Sequence, residues 1–350
     1  MKIAFLISSI REVGPVLVVR TLISQLLRAG HQCTTFYFDQ AEIEWEGNIR
    51  RISFFLPHNF KGFDILHSHG LRPNIYVALY KSFSPGTTRF VSTIHSYIFE
   101  EFGYSFGRVG GWFLSQLFVQ SLCRHDKIAA LSDDAVLYYS RWLPQERLAR
   151  CYNGVDLNRE ERLSGEEVQE LMAFKGDSWL IGTCSSLVPI KGIDVLLNGF
   201  RLLPGNYKLW IIGEGNTPYY QKIIDEMGLS SRVCLAGFRH AAHRYVPYFD
   251  IYTQTSKSEG FCLALTEAAL YAKKIVTSDI PSMREKYSDE EVAYFDVAVP
   301  DDFRRAVESA ITNDEMGKNA ENKAKTHFSA WKMGQSYLSL YRSLVHDDLV

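Results

Sequence analysis

At 350 residues, with 46% hydrophobic and 22% charged residues, the chain has the composition of a globular protein and enough length for two domains of about 150 residues each. That composition excludes a disordered chain, and a formal net charge of −2 gives no support to a nucleic-acid partner. The charge is uneven: residues 1–150 hold an excess of Lys and Arg and residues 151–350 an excess of Asp and Glu, so the basic first half suits an anionic surface or substrate.

The first expected element is a strand at KIAFLIS (2–8). The opening MKIAFLISSI imitates a signal peptide, but its apolar run is short, lacks a small-residue cleavage site and meets Arg11-Glu12 at once. A helix follows over VLVVRTLISQLLRAGH (16–31), stopped by Gly30. Strands are expected at CTTFYF (33–38), RISFF (51–55) and DILHSH (64–69), a helix from about Asn74 to Ser82, then strands at RFVSTIH (89–95) and DKIAALS (126–132).

Between the last two lies the aromatic-rich YIFEEFGYSFGRVGGWFLSQLF (97–118). It reads equally as a buried helix with its loop, or as an exposed aromatic surface that, in the basic half of the chain, suits peripheral docking on a membrane. Its longest apolar stretch, 109–123, is shorter than the roughly 20 residues a membrane span needs. The pattern pauses at CYNGVD (151–156), and the charged NREERLSGEEVQELMAFKGD after it reads as a polar connecting helix at a domain boundary. The second half repeats the theme with strands at WLIGTC (179–184), KLWIIG (208–213), RVCLAG (232–237), DIYTQT (250–255) and KIVTSD (274–279). The final SAWKMGQSYLSLYRSLV (329–345) is an amphipathic helix long enough to pack on either domain. Strands alternating with helices predict an α/β chain of two doubly wound, Rossmann-like domains facing across a cleft.

Ligands of such sheets bind outside the carboxyl ends of the strands, so the loops there are where chemistry is sought. After 179–184, Lys191 and Gly192 precede the helix IDVLLNGF, where a Lys can join free helix N–H groups around a phosphate. After 208–213, Gly213 and Gly215 of GEGN permit close backbone approach, although a dinucleotide fingerprint fails for want of a third Gly. After 250–255 comes SKSEGFCLALTEAALYA (256–272). Glu259 lies in the loop, Gly260 lets the backbone turn close to a ligand, and Glu267 sits in the following helix. Carboxylates accept hydrogen bonds from the vicinal hydroxyls of sugars and ribose, and the helix start between the two acids offers N–H donors. The constellation fits a phosphate bound between two hydroxyl-bearing groups.

Other patterns carry less. GYSFG (103–107) matches G-x-S-x-G, but no strand runs into it. His67 and His69 share a strand face without a third metal ligand, which favours a structural or acceptor-side role. There is no D-x-D pair of the kind that holds a divalent metal. The six cysteines, at 33, 123, 151, 184, 234 and 262, stand singly, against a disulfide framework or structural zinc and for a reducing compartment.

The order of a Gly-rich first loop, a His after an N-domain strand, NGVD, LVPIKG, LWIIGEGN, VCLAGF, FDIYTQTSKSEGF, a second Glu and FSAWK…YLSLY resembles the retaining, nucleotide-sugar-dependent glycosyltransferases of the GT-B fold. More narrowly it is similar to family four, glycosyltransferase group 1, over nearly the whole chain. The resemblance implies an acceptor-binding domain over 1–155, a nucleotide-sugar domain over 156–328, and a terminal helix, 329–350, crossing back to the first. It assigns Glu259 and His95 to the transferred sugar, Lys191 to the leaving diphosphate and Glu267 to the ribose hydroxyls. It gives Gly14, Gly260 and the backbone N–H groups of Phe261, Cys262 and Leu263 to the phosphates, with Gly213, Gly215 and Phe238 also on the nucleotide side.

It further implies a UDP-sugar donor, with GDP-sugar second, and a glycan or lipid-linked glycan acceptor in surface polysaccharide or glycoconjugate biosynthesis. No metal, cofactor or nucleic acid is implied, and the location is cytoplasmic with peripheral contact at the inner membrane face through the N-terminal domain. The chain departs from the family pattern at Ser185-Ser186-Leu187, where an Arg is usual, which leaves Arg11 as a candidate second cation. It departs again at Val13 and Cys262, both usually Gly, and at Ala272-Lys273-Lys274 in place of Gly-x-Pro. The alternatives are a non-catalytic GT-B binding subunit of a polysaccharide complex and a GT-B nucleotide-sugar epimerase or phosphorylase.

Overall fold

Apolar runs buried on both faces make the central strands of two parallel sheets, as sheets covered by helices on each side require. The computed structural model describes residues 1–84, 86–157 and 161–345. Residues 158–160 of the expected connecting segment and residues 346–350 of the expected terminal segment lie outside the described residues. The chain divides into two units: Met1–Asp156 with the segment from Phe328 onward, and Leu157–His327.

The first unit runs β1 (Lys2–Ile7), α1 (Gly14–Arg28), β2 (Gln32–Tyr37), β3 (Asn48–Arg51), β4 (Ile65–His69), α2 (Leu71–Tyr80), β5 (Arg89–Ile94), α3 (Ile98–Leu122), β6 (Lys127–Ala130), α4 (Asp133–Tyr139) and β7 (Leu148–Arg150). Its sheet has the order β3-β2-β1-β4-β5-β6-β7, every neighbour parallel. The strand expected at 51–55 forms instead at 48–51. The aromatic run beyond it leaves the sheet, and Phe54 packs edge-on against Phe38 at 5.4 Å. What remains is a short edge strand, exposed throughout and carrying Arg50 and Arg51, a form that discourages further strand addition.

The aromatic stretch at 97–118 falls in α3, which breaks at Gly107 (φ 73°). The two arms then touch closely: a Cβ on Gly111 would lie 2.5 Å from the Phe102 carbonyl oxygen. One side of the pair is core, with Ile98, Phe118, Val119 and Leu122 buried. The other side leaves Tyr104, Phe106, Val109, Trp112, Phe113 and Leu117 exposed. No strand enters 103–107, so Ser105 is a helical residue and not a nucleophile elbow.

The second unit runs α5 (Gly165–Lys175), β8 (Trp179–Cys184), α6 (Ile193–Phe200), β9 (Tyr207–Ile212), α7 (Thr217–Glu226), β10 (Val233–Gly237), β11 (Ile251–Gln254), α8 (Leu263–Leu270), β12 (Lys274–Ser278), α9 (Pro281–Arg284), β13 (Ala293–Phe295), α10 (Pro300–Thr312) and α11 (Met316–His327). The sheet order is β10-β9-β8-β11-β12-β13, again all parallel. Its core joins Ile181, Leu209, Ile211, Ile251 and Val276 of the sheet to Leu196, Leu197 and Phe200 of α6 and Phe303 and Val307 of α10. Each such side chain contributes roughly 1.5–3 kcal/mol by leaving water. The three-residue strands β7 and β13 have no counterpart in the sequence pattern, being too short to show a period.

The last described helix, α12 (Ala330–Val345), packs within the first unit. Gly334 faces α1, where a Cβ would come 2.8 Å from that of Gln25. Buried Tyr337 and Tyr341 reach Thr93 and His67 at 2.9 and 2.7 Å. The chain re-enters beside NGVD: Val155 bridges Ser329, and a Cβ on Gly154 would sit 2.3 Å from the Ser329 carbonyl oxygen. A larger residue at Gly154 would push the returning segment away.

Candidate functional site

The strand order of the second unit reverses at β8, which has β9 on one side and β11 on the other. Loops leaving β8 and β11 therefore part at a topological switch point, where open α/β sheets take their ligands. The loop after β8 carries Lys191 on one turn of 3-10 helix, closed by Gly192 in the left-handed region (φ 66°). Only glycine fits there, since a Cβ would lie 2.0 Å from the Thr255 carbonyl oxygen at the start of the loop after β11. Thr255 Oγ1 donates to the Gly192 carbonyl at 2.9 Å and fastens the two loops.

Across this seam Lys191 Nζ donates to Glu259 Oε1 at 2.7 Å. The same oxygen accepts from Ser256 Oγ at 2.7 Å and lies 3.4 Å from Gln254 Nε2. Glu259 is 8% exposed, so its charge depends on these partners, while Lys191 keeps a larger opening to solvent.

Beyond Glu259 the chain passes Gly260 and Phe261 to Cys262, the N-cap of α8. Cys262 adopts φ 60°, ψ 86°, a conformation usually left to glycine. Burial pushes its thiol up to about 12, so it is protonated at neutral pH and poorly nucleophilic. Leu263 opens the helix, and first-turn N–H groups have no intrahelical partner. Glu267, one helical stretch further, makes no side-chain hydrogen bond within the described residues, and burial pushes its carboxyl up to about 7.

Lys286, just past α9, is not among the candidates that the sequence offers. It is buried and donates to the Phe261 carbonyl, with the Cys262 carbonyl at 3.5 Å and Thr266 Oγ1 at 3.4 Å. Its ammonium also stands 3.9 Å from the Phe261 ring centroid. It lies in the polar run REKYSDEE, where nothing distinguishes it from a solvated lysine, so no sequence signal marks it.

Gly213 and Gly215 follow β9 at φ 155° and 143°, and the close approach they permit is to the loop after β8. A Cβ on Gly213 would meet the Ser185 carbonyl oxygen at 2.0 Å, and one on Gly215 that of Leu187 at 2.5 Å. These glycines thus seat the Ser185-Ser186-Leu187 backbone, while Phe238 after β10 is half exposed.

In the first unit, His69 and His95 stand at the carboxyl ends of adjacent β4 and β5, with His69 Nδ1 2.9 Å from His95 Nε2. His67 spends both ring nitrogens on the protein, Nδ1 at Tyr341 and Nε2 at Thr93 (2.8 Å), which gives it a structural task. Burial lowers all four histidines of the region: His67 and His69 fall well below the ordinary range, His95 and His125 to about 4. Gly14 is the first residue of α1, with no atom within 4 Å of where its Cβ would be. Arg11 donates from Nε to Ser9 Oγ at 3.0 Å.

Residues 166–327 match the family model described as glycosyl transferases group 1, and residues 14–159 match that of glycosyltransferase family 4. The O-antigen biosynthesis glycosyltransferase WclY of Escherichia coli is 28% identical over all of both chains. The lipopolysaccharide core biosynthesis glycosyltransferase LpsE of Rhizobium meliloti is 24% identical over 48% of this chain and 51% of its own. Among solved structures, Anabaena HepE in complex with UDP superposes with a TM-score of 0.79 at 17% identity, covering 98% of this chain and 100% of that one. The sucrose-phosphate synthase of Thermosynechococcus elongatus gives 0.83 at 16%, covering 99% of each.

Proposed function

We propose, from the premise that this chain belongs to the GT-B glycosyltransferases of group 1, family four, that it is a retaining enzyme. It moves a sugar from a nucleoside diphosphate, UDP in the first place, to a glycan or lipid-linked glycan acceptor in surface polysaccharide assembly. The observation that carries this reading is the Lys191–Glu259 contact at the switch point, followed by the start of α8 and the unpartnered carboxylate of Glu267. Such a row offers a carboxylate to the sugar, a cation and backbone N–H groups to the diphosphate, and a second carboxylate to the ribose. The choice of UDP is supported by HepE, whose structures hold UDP and UDP-glucose, and the pathway by WclY.

In the reaction, the bond from the anomeric carbon to the diphosphate oxygen breaks, and charge grows on that oxygen. Lys191 and the N–H groups at Cys262 and Leu263 stabilise it in place of a metal ion. The acceptor hydroxyl bonds to the anomeric carbon on the face the diphosphate leaves, and its proton passes to the departing phosphate oxygen. No protein nucleophile is needed. Burial lowers His95 to about 4 and keeps it neutral, which suits a hydrogen-bonding group and not an acid.

Calorimetry against UDP, GDP, ADP and CMP, followed by transfer assays with labelled nucleotide sugars with and without EDTA, tests the reading. Failure to bind any nucleoside diphosphate would refute it. Binding without turnover would favour a non-catalytic subunit, and donor conversion without acceptor an epimerase or phosphorylase. EDTA-sensitive transfer would overturn the metal-free course.

For a peripheral membrane contact, the reading favours α3. Its exposed face bears Tyr104, Phe106, Val109, Trp112 and Phe113 around Arg108, and no Asp or Glu occurs from Phe102 to Leu122. Aromatic side chains with a cation and no acid suit the headgroup region of an anionic leaflet. Among the described residues no helix is long and apolar enough to cross a membrane.

A further inference from the structure

We infer that Lys286 is a positioning residue for the diphosphate of the nucleotide, acting through the backbone of the loop before α8; this rests on the nucleotide-sugar reading above. The chain has Ser185-Ser186-Leu187 where its family usually places an arginine, so the loop after β8 brings one cation, Lys191, to the switch point. Lys286 brings a second from behind. It is 1% exposed and reaches two successive carbonyls, those of Phe261 and Cys262, and the Thr266 hydroxyl.

The geometry of the peptide unit gives those contacts their consequence. In a planar trans peptide the C=O and the next residue's N–H point in opposite directions. Holding the Phe261 carbonyl inward aims the Cys262 N–H outward, and holding the Cys262 carbonyl inward aims the Leu263 N–H the same way. No backbone carbonyl of the described residues accepts from either N–H. Two successive outward N–H groups beside a left-handed residue make an anion-binding concavity. The ammonium behind them also polarises both peptides and strengthens their donors.

Lys286 therefore explains how Cys262 keeps φ 60° without being glycine, since its two flanking peptides are held by one buried cation. It also supplies buried positive charge close to the phosphate position without entering it. A lysine held only for packing would gain nothing from an ammonium: burial of a charge without partners is costly, and methionine fills similar space. Its ammonium is tuned by that burial to about 8 and remains mostly charged at pH 7.

The test compares wild type with Lys286→Met by calorimetry against UDP, UMP and uridine, with Tm recorded for both. Uridine reports the base and ribose contacts alone, so the ratio of UDP to uridine affinity isolates the diphosphate. Lys286→Met is expected to lower that ratio by about tenfold to a hundredfold, the worth of a charge-assisted hydrogen bond, with uridine affinity kept. An unchanged ratio, or equal loss for both ligands, overturns the inference and leaves the proposed function standing. Wild-type protein that binds no nucleoside diphosphate overturns both. Should Lys286→Met fail to fold, the Lys286 Nζ resonance in ¹⁵N spectra of wild type decides. A shift on adding UDP but not uridine supports the assignment, and no shift refutes it.

Discussion

Lys191 and Glu259 meet at 2.7 Å across the seam between the loops after β8 and β11, so the cation assigned to the leaving group is already held by the acid assigned to the sugar. On the proposed reading, a diphosphate arriving there would compete with Glu259 for the same ammonium. Glu259→Gln keeps the hydrogen-bonding shape and removes the competing charge. The variant should bind UDP several-fold more tightly while transfer falls by about a hundredfold or more, the scale of losing an electrostatic partner in the transition state. Calorimetry beside initial rates measures both. Weaker UDP binding would mean that the carboxylate holds Lys191 in place and does not compete for it.

Glu267 sets a pH dependence of its own. Burial raises its carboxyl to about 7, so the folded protein retains this proton longer than the unfolded chain does. Its contribution to stability is thus fully present below the ordinary carboxylate range and is lost as pH rises through 7. On the proposed reading a ribose binds the ionised form, so nucleoside affinity should run the opposite way. Uridine, which does not titrate in this range, should bind about tenfold better at pH 8 than at pH 6, following the ionised fraction. In Glu267→Gln the affinity should be lower and flat. A wild-type profile as flat as the variant's would remove Glu267 from the ribose contact.

How legible this was in the sequence varies with the kind of contact. β8 matches its expected residues throughout, because a buried six-residue run with turn signals on both sides has one reading. The run after Arg51 reads as a strand because Ile52 and Phe54, which pack against the core beside Phe38, show a strand's alternation. β7 and β13 exist through pairing with β6 and β12, which no local pattern carries. Lys191 and Glu259 stand on loops after strands, and position along the chain was enough to notice them. Lys286 is separated from its acceptors by twenty residues or more, and the duty of Gly213 and Gly215 is to a neighbouring loop. Tertiary contact alone creates those roles.

The histidines of the first unit predict acid sensitivity. His95 and His125 are held at about 4 by burial, against an ordinary value near 6.5. Between those values the unfolded chain binds more protons, so stability rises with pH through the window and is lost as pH falls through it. Each histidine contributes at most on the order of 3 kcal/mol. Urea unfolding at pH 7 and pH 4.5 should show the first unit losing stability on acidification. His125→Asn should shrink that loss by about 1 kcal/mol or more, even if it lowers stability at pH 7. An undiminished loss would place the proton uptake elsewhere.

Cys262 carries backbone strain that glycine would not. A left-handed conformation costs a residue with a Cβ about 1–2 kcal/mol, and glycine's extra unfolded-state freedom costs about 0.5–1 kcal/mol. Cys262→Gly should therefore leave Tm unchanged or raise it by a few degrees, with UDP affinity kept. A fall of more than about 2 °C would mean that packing of the buried thiol outweighs the strain. The wild-type thiol should resist alkylation at pH 7.5 in the folded protein, since burial holds it protonated.

The exposed face of α3 yields the last prediction. Trp112 and Phe113 follow the Gly107 break and the tight crossing at Gly111, so they belong to the arm whose other side holds Phe118 and Val119 in the core. Replacing both by Ser should leave the fold intact, because exposed apolar side chains far from the core cost little when removed. If the face docks on a membrane, wild type should sediment with vesicles of phosphatidylglycerol and phosphatidylethanolamine, less so as salt screens Arg108, and the double variant should stay in the supernatant. Turnover on a water-soluble acceptor should be the same for both proteins, while turnover on acceptor embedded in vesicles should fall for the variant. Equal sedimentation of the two would remove this face as the contact. A salt-dependent dimer of wild type without vesicle binding would assign it to a second copy of the chain.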